Sequence, residues 1–522
     1  MDFQQDLREN KGTPTRGGPP ARWLEPSTAR VNLETANPDV LENPVPNRFS
    51  IVRALSIALL CSFAAQSQDL PGPVVRPRVD ERVELLSIVF RLAGNFEYNM
   101  NTLPAYSNDI DHYFAPYKQH PAVQMAHMLA EKHGVGFDSP MAMAISLSPP
   151  PELKPLVAFA PTVPDSRWAG EAARFLPLLR DFCRDSNFAE FFATHQSMYR
   201  LAEERFSATL AAVDFGWYHR FYGEAAAREY HLILGLNNGG GNYGPRLQRP
   251  GGKVELFSIM GCWTHDEAGN PTYPPDQDYL ATVIHEFNHS FVNPVVAEHW
   301  VDLSRAAEAV YAHVAGRMKL IAYPSAQMMM DESLVRAAVI VYFQEQGEDG
   351  RNNVRRIRAE QKQGFVWMDQ LVEQLNAYRA DRTRYPTFAS YVPRVASFYQ
   401  ELSSREPAVE AAFQAKWAHV VRIEPFQNKA QDVDPSITRI TIVVDKALDP
   451  KAGYSINPGQ NGGGHYPVTG QPSFDADGTH ILVPVRLAPN QAYSFVLTPS
   501  AFSTIDGYPL TSYTVEFKTK AQ

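Results

Sequence analysis

Between Ala281 and Val292 the chain reads Ala-Thr-Val-Ile-His-Glu-Phe-Asn-His-Ser-Phe-Val, and Asn293-Pro294 follows. His285 and His289 are four residues apart, so a helix brings both imidazoles to one face, one turn above the other. Two imidazoles so placed fill two corners of a tetrahedral zinc site. Glu286, beside the first histidine, is set to reach a water at the metal rather than the metal itself. Val283, Ile284, Phe287, Phe291 and Val292 give the helix the apolar surface to pack into a core. Pro294 disfavours helical geometry at Asn293, which predicts that the helix stops there. The competing reading is a histidine pair in an ordinary hydrogen-bond network. Against it stand the apolar, helix-compatible surroundings and the strand-like segments that precede them.

A catalytic zinc site takes three protein ligands and keeps one position open. An HExxHxxGxxH arrangement would need glycine and histidine where Val292 and Val295 stand, and is excluded. Glu332 opens an apolar helical stretch (Leu334, Val335, Ala338, Val339, Val341) that must pack inside the domain, and an inward carboxylate there needs a partner. Glu332 is therefore the expected third ligand, with Glu298 and His299 as alternatives just past the proline. Arg336, one turn beyond Glu332, either steadies it or is a plain salt-bridge partner.

At 522 residues, 44% hydrophobic and 20% charged, the chain is long enough for two or three globular domains. A formal charge of −9 and the lack of a Lys/Arg run argue against nucleic acid as a partner. Only three cysteines occur, Cys61, Cys183 and Cys262, too few for a disulfide framework or a Cys-rich metal site. A Cys183–Cys262 bridge and two buried free thiols both remain open.

Residues 1–47 are polar and proline-rich and read as disordered, or as an extension from a mis-assigned start. Residues 48–67 carry a basic flank, a short apolar run and Ala65-Gln66-Ser67, the layout of a cleaved export signal. A type II anchor or a core helix are the alternatives. The run is short for a membrane span, so no stable span is expected after cleavage.

From 68 to 423 the periodicity is mostly helical: Arg82–Ala93, Ala122–Lys132, Gly170–Asp185, Phe188–Asp214, Ala297–Tyr323, Arg355–Ala380 and Val392–Leu402. The histidines His112, His120, His127, His133 and His195 are scattered and read as surface or core residues. Two strands are expected at Tyr230–Leu236 and Lys253–Gly261, in a small antiparallel sheet. Asn237–Gly244 between them is either a plain hairpin loop or part of an edge that holds an extended substrate. Composition shifts near 424. Beyond it, short strands (Ile437–Val444, His480–Arg486, Ala492–Leu497, Ser512–Lys518) separated by turn signals suggest a second, all-β domain over 424–522. The fold class is α+β.

Ile284-His285-Glu286-Phe287-Asn288-His289, with Glu332-Ser333-Leu334-Val335-Arg336-Ala337 downstream, resembles the gluzincin group of zinc metallopeptidases. More narrowly, Val83-Glu84-Leu85-Leu86, the His289–Pro294 extension and Glu332–Ala337 are similar to a bacterial family known only as a domain of unknown function, over roughly residues 78–400. The resemblance implies a zincin-like metallopeptidase domain. His285, His289 and Glu332 would bind Zn2+, and Glu286 would be the general base. The spacing from His289 to Glu332 is longer than in well-studied gluzincins, and no clear transition-state His or Tyr follows, Tyr385 and Arg336 being the nearest candidates. The tail from Asp432 to Thr519 resembles a bacterial immunoglobulin-like domain, a spacer or adhesive module.

The expected function is thus an exported zinc metallopeptidase acting on a peptide or protein substrate. The alternatives are a cell-wall amidase and a secreted binding protein with a non-catalytic metal helix. An intact Glu286 favours the enzymes, because a dead site does not need its base.

Overall fold

The computed structural model describes residues 75–522 except 161–162, 224–227, 460–464, 500 and 522. The expected N-terminal extension (1–47) and export signal (48–67) lie outside the described residues. The chain begins with strand β1 (Pro77–Val79), followed by helices α1 (Glu81–Ala93), α2 (Pro104–Tyr113), α3 (Pro121–His133) and α4 (Asp138–Ile145). Helices α5 (Ala172–Asp185), α6 (Phe188–Thr194), α7 (Gln196–Ala211) and α8 (Phe215–Tyr222) lead to strands β2 (Arg228–Leu234), β3 (Arg246–Gln248) and β4 (Val254–Met260). Six helices come next: α9 (Tyr279–Glu298), α10 (Trp300–Leu320), α11 (Ala326–Glu345), α12 (Gly350–Gln363), α13 (Met368–Ala380) and α14 (Phe388–Gln414). The last strands are β5 (Val420–Glu424), β6 (Arg439–Val444), β7 (Ile456–Pro458), β8 (Ser473–Phe474), β9 (His480–Pro484), β10 (Ala492–Leu497) and β11 (Tyr513–Lys518). The protein is α+β, with about half of the described residues helical and the sheets small.

Local chemistry sets several of these boundaries. Asp80 caps α1 by accepting from the Arg82 N–H, and Gly94 ends it in the left-handed region at φ 96°. Gly364, at φ 119°, divides the stretch expected as one helix over Arg355–Ala380 into α12 and α13. His195 likewise separates α6 from α7 within the expected Phe188–Asp214 helix.

The expectation that Pro294 ends the metal helix is wrong: α9 continues to Glu298 and breaks only at His299. A proline inside a helix costs about 3 kcal/mol. Val295 and Val296, which follow it, are both buried, and each contributes about 1.5–3 kcal/mol when fully buried. Tertiary burial therefore outweighs the local preference.

The first sheet is also not the antiparallel one expected. Its order is β1-β2-β4-β3, with β1–β2 and β2–β4 parallel and only the edge pair β3–β4 antiparallel. Leu232, Ile233 and Leu234 of β2 and Leu256 to Met260 of β4 are buried in unbroken runs, as strands covered on both faces are. Parallel neighbours require a crossover. The Gly-rich segment 237–244 supplies it, carrying the chain past β4 to the edge, so it is not a hairpin loop. The tight turn is the next one, where the Arg249 N–H donates to the Lys253 carbonyl and Gly251 and Gly252 take positive φ.

Cys183 and Cys262 are both buried and free, so the possible bridge between them is not formed. The C-terminal strands form two antiparallel sheets, β5-β6-β9-β8 and β11-β10-β7, around their own core of Ile440, Ile442, Val483, Phe495, Leu497 and Val515. Ala418 already belongs to that core. This unit rests on α12 and α14: the Arg358 guanidinium lies 4.4 Å over the Tyr508 ring, and Phe413 packs 5.7 Å from Tyr508.

In the larger core, Glu84 of α1 is a fully buried acid. Burial pushes its carboxyl up to about 7, against hydrogen bonds from the Tyr106 hydroxyl and the Leu236 and Asn237 N–H groups. Tyr106 and Tyr199 stay neutral, both being pushed up by burial, and the Asp80 carboxylate adds to the rise at Glu84. A raised folded-state value means the stabilisation is complete below pH 4.5 and is lost as pH rises through about 7. The loss is on the order of 3 kcal/mol. Urea denaturation between pH 5 and 8 is expected to show this decline in wild type and a flatter profile in Glu84→Gln.

Candidate metal centre

Helix α9 is held on three sides. Towards α8 and the sheet, Phe291 stacks on Tyr218 (5.3 Å, 11°) and Tyr222 (4.6 Å, 9°), and Phe287 meets Tyr230 at 5.4 Å. Towards α11, the Asn288 amide is a clamp: Tyr222 donates to its Oδ1 at 3.0 Å and its Nδ2 donates to the Val335 carbonyl at 3.4 Å. On the third side the crossover segment touches the backbone. A Cβ on Gly244 would lie 2.0 Å from the Glu286 carbonyl oxygen, so only glycine permits the approach.

With those faces committed, His285 and His289 turn to α11, where Glu332 meets them. Nε2 of His285 and Nε2 of His289 are 3.1 Å apart, and Glu332 places Oε2 3.6 Å from the first and Oε1 3.5 Å from the second. A tetrahedral ion with bonds of about 2.0–2.1 Å spaces its ligands about 3.3–3.4 Å apart. The two nitrogens are close to that edge length apart, and Glu332 turns one oxygen to each of them. The chain therefore holds a group of three side chains able to bind a metal ion.

The surroundings prepare each donor. Asn293 Oδ1 lies 3.1 Å from His289 Nδ1 and accepts a hydrogen bond from its N–H, which leaves the lone pair on Nε2 facing the group. Burial pushes His285 down to about 3, with His289 and Arg336 acting in the same direction against Glu332. Burial raises Glu332, but His289, His285, Arg336 and the Tyr323 hydroxyl outweigh it and hold the carboxyl at about 2. At neutral pH His285 is thus a neutral imidazole and Glu332 a carboxylate, the forms that bind metals. Burial raises Glu286 well above its ordinary range, with the Glu332 charge adding to it.

Arg336 fixes Glu332. It donates from Nε to Glu332 at 3.2 Å, from Nη1 to Glu360 at 2.7 Å and from Nη2 to the Tyr323 hydroxyl at 2.7 Å. It therefore steadies Glu332 and is more than a simple ion-pair partner. The alternatives for the third ligand are elsewhere: Glu298 is exposed at the end of α9, and His299 is the α9–α10 junction. Tyr385 is not at the group either; its ring lies edge-on to Tyr391, 4.8 Å away, with Arg384 on its face. Tyr323, from the α10–α11 connection, is the tyrosine found beside Glu332, and nothing in its local sequence marks it. Asn293 was missed as well, because the helix was expected to stop there; with α9 continuous, 285, 289 and 293 share one helix face.

The other histidines have structural uses. His120 caps α3, His127 bonds to the Ala93 carbonyl and His195 to the Phe191 carbonyl, while His112 and His133 are exposed. A second group of potential ligands, Glu229, His231 and Glu255, is on the sheet face opposite α9, since the intervening Tyr230 meets Phe287. Its carboxylates are already neutralised by Lys253 and by Arg249, 3.0 Å from Glu255.

Residues 76–398, from β1 into α14, match a family described as a domain of unknown function, DUF4932. The chain belongs to the DUF4932 family. The DUF4932 region contains the whole metal-ligand group and its supports, and the C-terminal β unit lies outside it. No curated protein matches the chain. Among solved structures, domains 1–6 of the surface layer protein SbsC are similar at 13% identity, covering 46% of this chain and 33% of that one at a TM-score of 0.16. The N-terminal part of the bacterial S-layer protein SbsC gives 13% identity, 48% and 60% coverage and a TM-score of 0.15. The chain spans about a third of the first of these, and likeness at these scores carries no argument. Among the described residues no helix is long and apolar enough to cross a membrane.

The close approach at Gly244 has a measurable consequence. Gly244→Ala, which needs no left-handed φ, is expected to destabilise the protein by about 1–3 kcal/mol through the clash with the Glu286 backbone. Gly316→Ala, with open space around it in α10, is expected to stabilise by about 0.5–1 kcal/mol. Chemical denaturation of the two variants checks the opposite signs.

Proposed function

We propose that the protein is a zinc-dependent hydrolase of peptide bonds. The observation that carries this reading is the convergence of His285, His289 and Glu332: the two Nε2 atoms are 3.1 Å apart, and each has a Glu332 oxygen within 3.6 Å. Two nitrogens and one carboxylate are a donor set suited to zinc, and three ligands leave a position open. Zinc bound there supplies a Lewis acid that polarises a substrate carbonyl and acidifies water.

The chain's own residues do the rest. Glu286, buried beside His285, takes the proton of the attacking water and delivers it to the leaving amine. Arg336 and Tyr323 hold Glu332 in place, and Asn293 holds His289 in the tautomer that faces the ion. In fold, a helix bearing the two histidines, a sheet whose edge strand β3 runs antiparallel to β4, and a third ligand on a later helix support a zincin-like region of the gluzincin kind. The two antiparallel sheets of the C-terminal unit support an immunoglobulin-like sandwich, a reading of architecture and not of activity.

Metal analysis of the purified chain is expected to find about one zinc per molecule, lost in Glu332→Ala and retained in Glu286→Gln. Glu286→Gln is expected to lower peptide hydrolysis by about a hundredfold or more. Amines released from a protein digest rather than from peptidoglycan separate the peptidase from a cell-wall amidase. Zinc retained without Glu332 would contradict the proposed site.

A further inference from the structure

Glu84 is the one fully buried carboxylate of α1, and it spends both oxygens on residues remote in sequence. Oε1 accepts from the Leu236 N–H at 2.7 Å, and Oε2 accepts from the Tyr106 hydroxyl at 2.8 Å. The Tyr106 oxygen lies 2.8 Å from the Tyr199 hydroxyl, which extends the chain of bonds across the core. One turn on, Ser87 Oγ donates to the Glu84 carbonyl at 2.9 Å, and Asn237 Nδ2 donates to Ser87 Oγ at 3.3 Å. Helix α1 thus grips Leu236 and Asn237, the residues that begin the Gly-rich crossover.

From there the crossover is held at successive residues. The Asn238 N–H donates to the Gly235 carbonyl at 3.0 Å and the Gly241 N–H to the Asn238 carbonyl at 2.9 Å. Asn242 Oδ1 accepts from the Gly261 N–H at 2.9 Å, and Tyr243 pairs in both directions with Ile259. A Cβ at Gly261 would lie 2.4 Å from the Gly239 carbonyl oxygen, so this nest has no slack. Its far end is Gly244, set against the backbone of Glu286. A continuous set of contacts thus links Leu236 to Glu286. A carboxylate is a costly anchor in a dry core, as the rise of Glu84 to about 7 shows. A core that needed only filling would be served by leucine.

We propose that Glu84 is a positioning residue: through the segment 236–244 it sets where Glu286 stands beside His285 and His289. The catalytic part of this inference rests on the hydrolase reading, and the positional part does not. Glutamine at 84 keeps an acceptor for the Leu236 N–H and can donate to the Tyr106 oxygen, so it preserves the link. Alanine cuts it.

The test uses the full chain as wild type, Glu84→Gln, Glu84→Ala and Tyr106→Phe, the last deleting only the hydroxyl that meets Oε2. Hydrogen–deuterium exchange is followed at 236–244, with α5 as control, alongside zinc content, kcat and KM. In Glu84→Ala, exchange at 236–244 is expected to rise about tenfold relative to α5, the scale of one lost bond to a charged group. Zinc stays bound, kcat falls about tenfold and KM moves less than about twofold. Glu84→Gln is expected to stay near wild type in all four readouts. Tyr106→Phe is expected to show the same selective rise, smaller in size, and decides the matter if Glu84→Ala does not fold. Unchanged exchange at 236–244, or a rise spread evenly over α1, α5 and α9, overturns the proposal. A wild type that hydrolyses nothing fails the hydrolase reading, while the exchange contrast still decides the positional one.

Discussion

Two imidazole nitrogens 3.1 Å apart, each within 3.6 Å of a carboxylate oxygen, need protons or positive charge among them or beside them. That constraint explains much of the architecture of residues 76–398. Arg336 gives Glu332 a fixed counter-charge, and Glu360 and Tyr323 hold Arg336. Asn288 ties α9 to α11 so that the donors cannot drift apart. A divalent cation would add positive charge among them, and the three side chains are close enough together to share one.

The second constraint is steric. The metal helix lies over a largely parallel sheet, and parallel strands need a chain crossing between them. Here the crossing ends against α9, close enough that glycine is required at 244. The segment that closes the sheet is thereby also the segment that borders Glu286. Fold and site share one stretch of chain, anchored at its start by a buried acid on α1.

What could be read from the sequence was what depends on near neighbours. The i, i+4 spacing of His285 and His289 and the apolar periodicity around Glu332 are local, and so were most helices and the longer C-terminal strands. Two misreadings have non-local causes. Pro294 is a local stop signal overridden by the burial of Val295 and Val296. The pairing of β2 with β4 is parallel because of a crossover whose path no dipeptide encodes. Glu84 was visible as an acid in an apolar helix, but its partners Tyr106 and Leu236 come from α2 and the end of the β2 strand region.

The most direct test of the account is anomalous diffraction from crystals grown with zinc, measured on both sides of the zinc absorption edge. The account predicts one strong edge-dependent peak about 2.0–2.2 Å from His285 Nε2, His289 Nε2 and a Glu332 oxygen. A peak elsewhere, such as at Glu229, His231 and Glu255, or no peak among the three donors, would contradict it.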